Sequence, residues 1–224
     1  MSVYMTEAEQ IEVIKKWWKR NQNIVTIILS VILLAFSGFK YWNWHQDKLN
    51  QQASNAYEHM MFAFSSQDNK SIRAYSKQLL SEYKNTIYAD VAHLTLAKLY
   101  VSQDKYLKAE EELRAVATHS KMNTLKQIAK IRLARILAAN KSYEQALSQL
   151  NQIDNSAFTP VVSELKGDIY AATGQYQQAV LAYRKAITEV QNQGMGNLFL
   201  EMKTNELLAM TQSMNTAVKR IQAA

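Results

Sequence analysis

Residues 167–186 read GDIYAATGQYQQAVLAYRKA, with small and large residues recurring at helical spacing on either side of one break. Gly167 and Tyr170 precede Gly174-Gln175; Tyr176, Ala179, Tyr183 and Ala186 follow at steps of three and four. That pattern describes two helices joined by a tight turn. It occurs twice more upstream. Aligned on Ala179, the other copies centre on Ala146 and Ala109, at spacings of 33 and 37 residues. Three residues before the anchor stand Tyr106, Tyr143 and Tyr176. Four after it stand Leu113, Leu150 and Tyr183, and seven after it Val116, Ile153 and Ala186. Twelve before it stand Ala97, Ala134 and Gly167, and nine before it Tyr100, Leu137 and Tyr170. Small residues let paired helices approach closely and large ones fill the gaps between pairs. Columns shared by three copies predict a stack of helix pairs.

Working outward, a more degenerate copy is expected over residues 46–83, where Ala74 fits the spacing. Residues 196–221, with Leu198, Met202, Leu207, Leu208 and Met210, read as a helix that covers the last open face. Short polar breaks fall at 65–69, 85–86, 103–104, 119–123, 140–142 and 153–159. Asp90, Asp104 and Ser142 read as caps, Ser142 with Gln145 at the capping-box spacing. Thr159 reads as an N-cap with Pro160 in the first turn. Five Gly and one Pro in 224 residues cannot supply the turns of a β-sandwich or barrel. The fold class is therefore all-α.

Residues 21–39 break the soluble pattern with 19 consecutive uncharged positions. Within them IVTIILSVILLAFSGF (24–39) holds eleven Ile, Leu, Val or Phe. On the insertion scale these favour membrane entry by roughly 3–7 kcal/mol. Nineteen residues at about 1.5 Å each span close to a hydrocarbon core. Ala35 and Ser37 form a weak signal-cleavage pattern. Against cleavage stand rings on both flanks, Trp17 and Trp18 before the span and Tyr41, Trp42 and Trp44 after it, an interfacial belt against the lipid bilayer. Lys15, Lys16, Lys19 and Arg20 precede the span while Lys40 and Lys48 follow it, which puts the N-terminus on the cytoplasmic side. Residues 1–20 read as an amphipathic leader helix, with Thr6 and Glu9 at capping-box spacing and Ile11, Ile14 and Trp18 on one face. The expected organisation is leader 1–20, transmembrane anchor 21–44 and repeat domain 45–224.

The sequence shows no catalytic constellation. Without Cys there is no disulfide framework, thiolate metal site or thiol nucleophile. His45, His59, His93 and His119 stand apart, without metal-ligand spacing. Gly194-Met195-Gly196 lacks the strand and Lys-Ser/Thr of a phosphate cradle. The net charge of +7 is spread thinly. Lys126, Lys130, Arg132 and Arg135 form a basic helix face without the interleaved aromatics of a nucleic-acid site. The reading is a protein without enzyme activity, cofactor, metal or nucleic-acid partner.

The copy Gly167-x-x-Tyr170, Gly174-x-Tyr176-x-x-Ala179, Tyr183-x-x-Ala186 resembles a tetratricopeptide repeat, with Gln191 where the trailing proline usually stands. Asp104 and Lys141 occupy positions where that family often has Gly. The resemblance implies a helical solenoid whose inner surface is lined by the first helix of each pair. By position, a partner-binding groove would take Leu94, Lys98 and Val101 from the first copy and Ile131, Arg135 and Ala138 from the second. The third would add Glu164, Asp168 and Ala171. The alternative, that the C-terminal helix fills this groove, stays open.

A wider resemblance covers nearly the whole chain. The leader with Tyr4, the anchor ending in Gly38-Phe39-Lys40-Tyr41-Trp42-Asn43-Trp44-His45-Gln46, and the segment Glu201-Met202-Lys203-Thr204-Asn205-Glu206-Leu207 are similar to the YfgM-like family of ancillary subunits of the bacterial SecYEG translocon. That resemblance implies a bacterial inner-membrane protein with a periplasmic repeat domain. It implies an adaptor between the SecYEG translocon and periplasmic chaperones during protein export, with a membrane-anchored peptidyl-prolyl-isomerase-like chaperone as companion. The competing expectations are a scaffold for another envelope assembly, such as division or cell-wall machinery, and a stress-signalling regulator acting through the cytoplasmic leader.

Overall fold

The computed structural model describes the backbone of residues 7–192 and 197–222, and the side chains of 10–192 and 197–213. The Thr6–Glu9 capping box and the Gly194-Met195-Gly196 loop lie outside these residues. The helices are α1 Glu7–Ser65, α2 Asn69–Glu82, α3 Ile87–Val101, α4 Tyr106–His119, α5 Asn123–Ala139, α6 Tyr143–Asn151, α7 Thr159–Ala172, α8 Tyr176–Asn192 and α9 Leu198–Gln222, with a 3₁₀ turn at Ser156–Phe158. No strand occurs among the described residues. Two compact units divide the chain, Met1–Ser54 and Asn55–Ala224.

The first unit is helical through its described residues. From residue 27 to residue 39 the side chains are exposed on every side, with Ile28, Val31, Leu34 and Phe39 all more than half exposed. Such a helix is long and apolar enough to cross a membrane. From Trp18 to Tyr41, 23 residues of helix rise about 34 Å, so the two aromatic clusters bracket a bilayer-sized span. Beyond it, Tyr41 packs 6.0 Å from the Trp44 ring, and Lys48 Nζ sits 5.5 Å over that indole.

In the second unit each helix packs chiefly on its chain neighbours, α2 on α3, α3 on α4, and so on to α9 on α8. One core cluster joins α3 to α7 through Leu94, Leu113, Val116, Leu133, Leu137, Leu150 and Ile169. A second joins α8 to α9 through Ala179, Val180, Tyr183, Leu200 and Leu207. Nearest-neighbour stacking is the mark of a solenoid. Polar ties close the loops between pairs. Ser120 Oγ donates to Asp90 Oδ2 at 2.7 Å, and the buried Gln127 carboxamide bonds Asp154 and the Asn155 N–H.

Four of the tight turns are copies of one geometry. Gln67, Asp104, Lys141 and Gly174 have φ of 58°, 57°, 61° and 76°. At each turn the following residue's N–H reaches the carbonyl five residues back: Asp68 to Ala63, Lys105 to Tyr100, Ser142 to Leu137 and Gln175 to Tyr170, at 2.8–2.9 Å. These are Schellman turns, and three of the four bear a side chain where glycine is least strained. Lys141→Gly is therefore expected to raise stability by up to about 1 kcal/mol, and Gly174→Ala to lower it by about the same. Urea unfolding midpoints of the two variants give the check.

The fourth turn locates the degenerate copy. Counting five residues on from Gln67 gives Ile72, 1% exposed, at the anchor position held elsewhere by Ala109, Ala146 and Ala179. Ala74, the expected match, is exposed on α2. The small-residue column holds Met60 here, and opposite it stands Ser76 where the other copies have Leu113, Leu150 and Tyr183. Ser76 Oγ donates to Met60 Sδ at 3.2 Å, both side chains fully buried. Volume has moved from one side of the helix contact to the other. Met faces Ser here, Ala stands opposite Leu in the next two copies, and Gly faces Tyr in the last.

Several expected caps sit elsewhere. Thr86 precedes α3, so Asp90 lies in the first turn and holds Ser120. Lys105 precedes α4, and Asp104, at positive φ, accepts from the Tyr106 hydroxyl. Ser142 precedes α6 but makes no side-chain cap. Thr159 is already helical because the 3₁₀ turn runs into α7. A true side-chain cap is Asp68, whose Oδ1 accepts from Lys70 N and Ser71 N. Hydrogen bonds from Ser71 hold that carboxyl below the ordinary aspartate range.

The closing helix keeps part of the expected stripe, with Leu207 buried and Leu208 half-buried against α8, and departs from it elsewhere. Leu200, Thr204 and Leu207 are buried against α8, whereas Leu198, Met202 and Met210 are exposed. Thr204 can be buried because its hydroxyl donates to the Leu200 carbonyl at 2.8 Å, leaving its methyl for packing.

Candidate functional site

Lys98, Arg135 and Asp168 occupy one column of the repeat, eleven residues before each anchor alanine, and the structure treats them differently. In the third copy the position is taken. Lys203 of α9 donates to Asp168 Oδ1 at 2.8 Å and lies 3.6 Å from Glu164 Oε1. The Tyr183 hydroxyl donates to the same Asp168 oxygen at 2.7 Å. Lys203 also sits 4.9 Å over the Phe199 ring. Burial, then the Asp168 hydrogen bond, push the Tyr183 hydroxyl far above its ordinary range, so it stays a donor. The C-terminal helix thus covers the acidic end of the expected groove. Lys203→Ala should loosen α9 with a loss of about 1 kcal/mol, a partly exposed pair with cation–π support. Faster amide exchange in 198–210 would report it.

In the first two copies the column is open. Between α3 and α5 lies a cleft of about 330 Å³ with Ala97, Val101, Leu113 and Ile136 at its apolar surface. Lys98, Arg132 and Arg135 line it too. Among the described residues none of the three pairs with a carboxylate. Partial burial, then the neighbouring Arg135 charge, push the Arg132 pKa down. Lys98 Nζ rests 4.7 Å over the Phe64 ring and also lines a second hollow of about 500 Å³ with Phe64, Ile72 and Leu99. The two hollows share Lys98 as their common wall.

Of the residues placed in the groove by position, Lys98, Val101 and Arg135 come together in this cleft. Glu164 and Asp168 come together under Lys203. Leu94 and Ile131 are buried in the core, 7% and 5% exposed. Ala138 and Ala171 are half-buried against the two core clusters. Position had not revealed Lys203 as the occupant of the acidic end. Arg132 was readable only as part of a basic helix face; its distance of three from Arg135 is the signal that both meet one cleft. Trp17, Trp18, Tyr41, Trp42 and Trp44 are all exposed on α1. No cluster of three metal-ligating side chains occurs among the described residues.

Helices stacked on their chain neighbours define the second unit as a helical-repeat solenoid. The chain belongs to the tetratricopeptide repeat-like domain family, whose pattern matches residues 15–209. It is similar to the ancillary SecYEG translocon subunit of Escherichia coli (strain K12), 28% identical over 207 residues, spanning 92% of this chain and 99% of that relative. The protein of the same name from Neisseria gonorrhoeae (strain ATCC 700825 / FA 1090) is 26% identical over 208 residues, spanning 92% of this chain and all of the relative. That of Haemophilus influenzae (strain ATCC 51907 / DSM 11121 / KW20 / Rd) is 28% identical over 186 residues, 83% of this chain and 91% of its own length.

Proposed function

We propose that this protein is a membrane-anchored adaptor of the SecYEG translocon that links it to periplasmic chaperones during protein export. The observation that carries the reading is full-length similarity: relatives named ancillary SecYEG translocon subunits align through both the apolar helix and the repeats. In this reading residues 1–20 are a cytoplasmic leader and 21–44 a single inner-membrane anchor. Residues 45–224 form the periplasmic domain, N-terminus inside by the excess of Lys and Arg before the span. The work is binding rather than catalysis. Holding the repeat domain at the exit site raises its effective concentration near emerging chains. Its companion is a membrane-anchored peptidyl-prolyl-isomerase-like chaperone, met through the groove residues of the repeats.

The test compares full-length protein with a fragment starting at Gln46, each recovered with its neighbours after mild solubilisation and cross-linking. The adaptor reading expects translocon subunits and a chaperone with the full-length form, and chaperone alone with the fragment. Recovery of division or cell-wall proteins without translocon would overturn it.

A further inference from the structure

We infer that the cleft between α3 and α5 is a receptor site for an acidic segment of a partner polypeptide, its carboxylates held by Lys98, Arg132 and Arg135. The inference deepens the adaptor reading and rests on it for the groove as a partner surface.

Three observations converge on this occupant. First, the charge is unmatched: three cations line one cleft and none has a carboxylate partner among the described residues. A carboxylate bridging Arg132 and Arg135 would relieve their repulsion, and guanidinium forks suit that geometry. Second, the protein carries its own example of the interaction. At the equivalent position of the third copy, α9 lies across the same column and meets Asp168 with Lys203, charge against opposite charge. A segment lying across the second and first copies meets cations, and complementarity there requires acids.

Third, the shape suits a chain rather than an isolated anion. The cleft holds about 330 Å³ beside Val101, Leu113 and Ile136, room for an aliphatic side chain between carboxylates. It shares Lys98 with the Phe64 hollow of about 500 Å³, so the occupied length exceeds a phosphate or headgroup. An extended peptide with acids flanking one aliphatic residue satisfies both parts.

The experiment uses full-length protein in non-ionic detergent and a fluorescent octapeptide with three glutamates around one leucine in a Gly/Ser frame. The same peptide with glutamines is the reference. The expected result is affinity about tenfold or more higher for the glutamate peptide, lost by about tenfold in Arg132→Gln/Arg135→Gln and partly kept in Arg132→Lys/Arg135→Lys. Lys98→Gln, a single surface change, should weaken binding in the same direction even if the double variant folds poorly. Lys166→Gln/Lys185→Gln, a basic pair elsewhere on α7 and α8, should leave it unchanged.

Equal binding of the two peptides would overturn the inference. So would equal loss in the Lys166/Lys185 variant, or saturable binding to phosphatidylglycerol vesicles that the glutamate peptide does not compete. Translocon recovery by the wild-type chain, measured alongside, separates the two claims. If recovery persists while peptide binding fails, this inference falls alone. If recovery itself fails, the adaptor reading falls whatever the peptide does.

Discussion

Replacing Gly167 by alanine is expected to destabilise the repeat unit by about 2–3 kcal/mol, a large effect for one methyl group. A Cβ built at Gly167 meets the Tyr183 ring at 2.4 Å from both Cδ1 and Cε1. That ring cannot easily withdraw. It is 3% exposed, its hydroxyl is bonded to Asp168, and Lys203 crosses above it. The other copies show the remedy, because Ala97 and Ala134 stand opposite Leu113 and Leu150. Gly167→Ala/Tyr183→Leu rebuilds that pair. The alanine should cost under about 1 kcal/mol in the Tyr183→Leu background, although Tyr183→Leu alone loses the Asp168 bond. A double-mutant cycle of urea unfolding reads the coupling. Additive effects would mean that the Gly–Tyr pair does not share one volume.

The second large effect concerns α1. Ile28→Arg/Ile32→Arg is expected to move the chain from the alkali-resistant membrane fraction to the soluble or aggregated one. Each arginine at mid-span costs about 2.5–3.5 kcal/mol, and two roughly cancel the 3–7 kcal/mol by which 24–39 favours the bilayer. Ile28 and Ile32 are more than half exposed, so the change removes no internal packing. A variant that stays integrated would show that the span is held by something other than its own hydrophobicity.

Much of the architecture was legible because a solenoid writes its packing once per repeat. Ala109, Ala146 and Ala179 are each fully buried, and spacing alone found them. The weakest copy hid because its volumes are exchanged: Met60 and Ser76 fill the space that small and large residues fill elsewhere, so a search by size misses them. The turns hid too. Backbone at positive φ recurs at Gln67, Asp104 and Lys141 without glycine to announce it, since neighbouring helices fix the geometry at a local cost.

The candidate site was legible in its column and not in its occupancy. Lys98, Arg135 and Asp168 share a repeat position, but charge partners depend on which chain lies across it, and Lys203 arrives from 35 residues beyond Asp168. Leu94 and Ile131 share the column four residues earlier with Glu164. The two aliphatic ones turn into the core and the acid stays half-exposed under Lys203. A family's inner surface, transferred by position, cannot tell floor from wall when the residue type changes between copies.

The central claim is that this chain works as a membrane-anchored neighbour of the translocon. Site-specific photocross-linking in native membranes tests it most directly, with the reactive residue placed in turn at Ile32, Tyr41 and Trp44 on α1. The account predicts adducts containing a translocon subunit from at least one anchor position, absent when the same residue is placed at Leu107 on α4. Membrane-integrated protein that gives no translocon adduct from any anchor position, under conditions where other neighbours are captured, would contradict it.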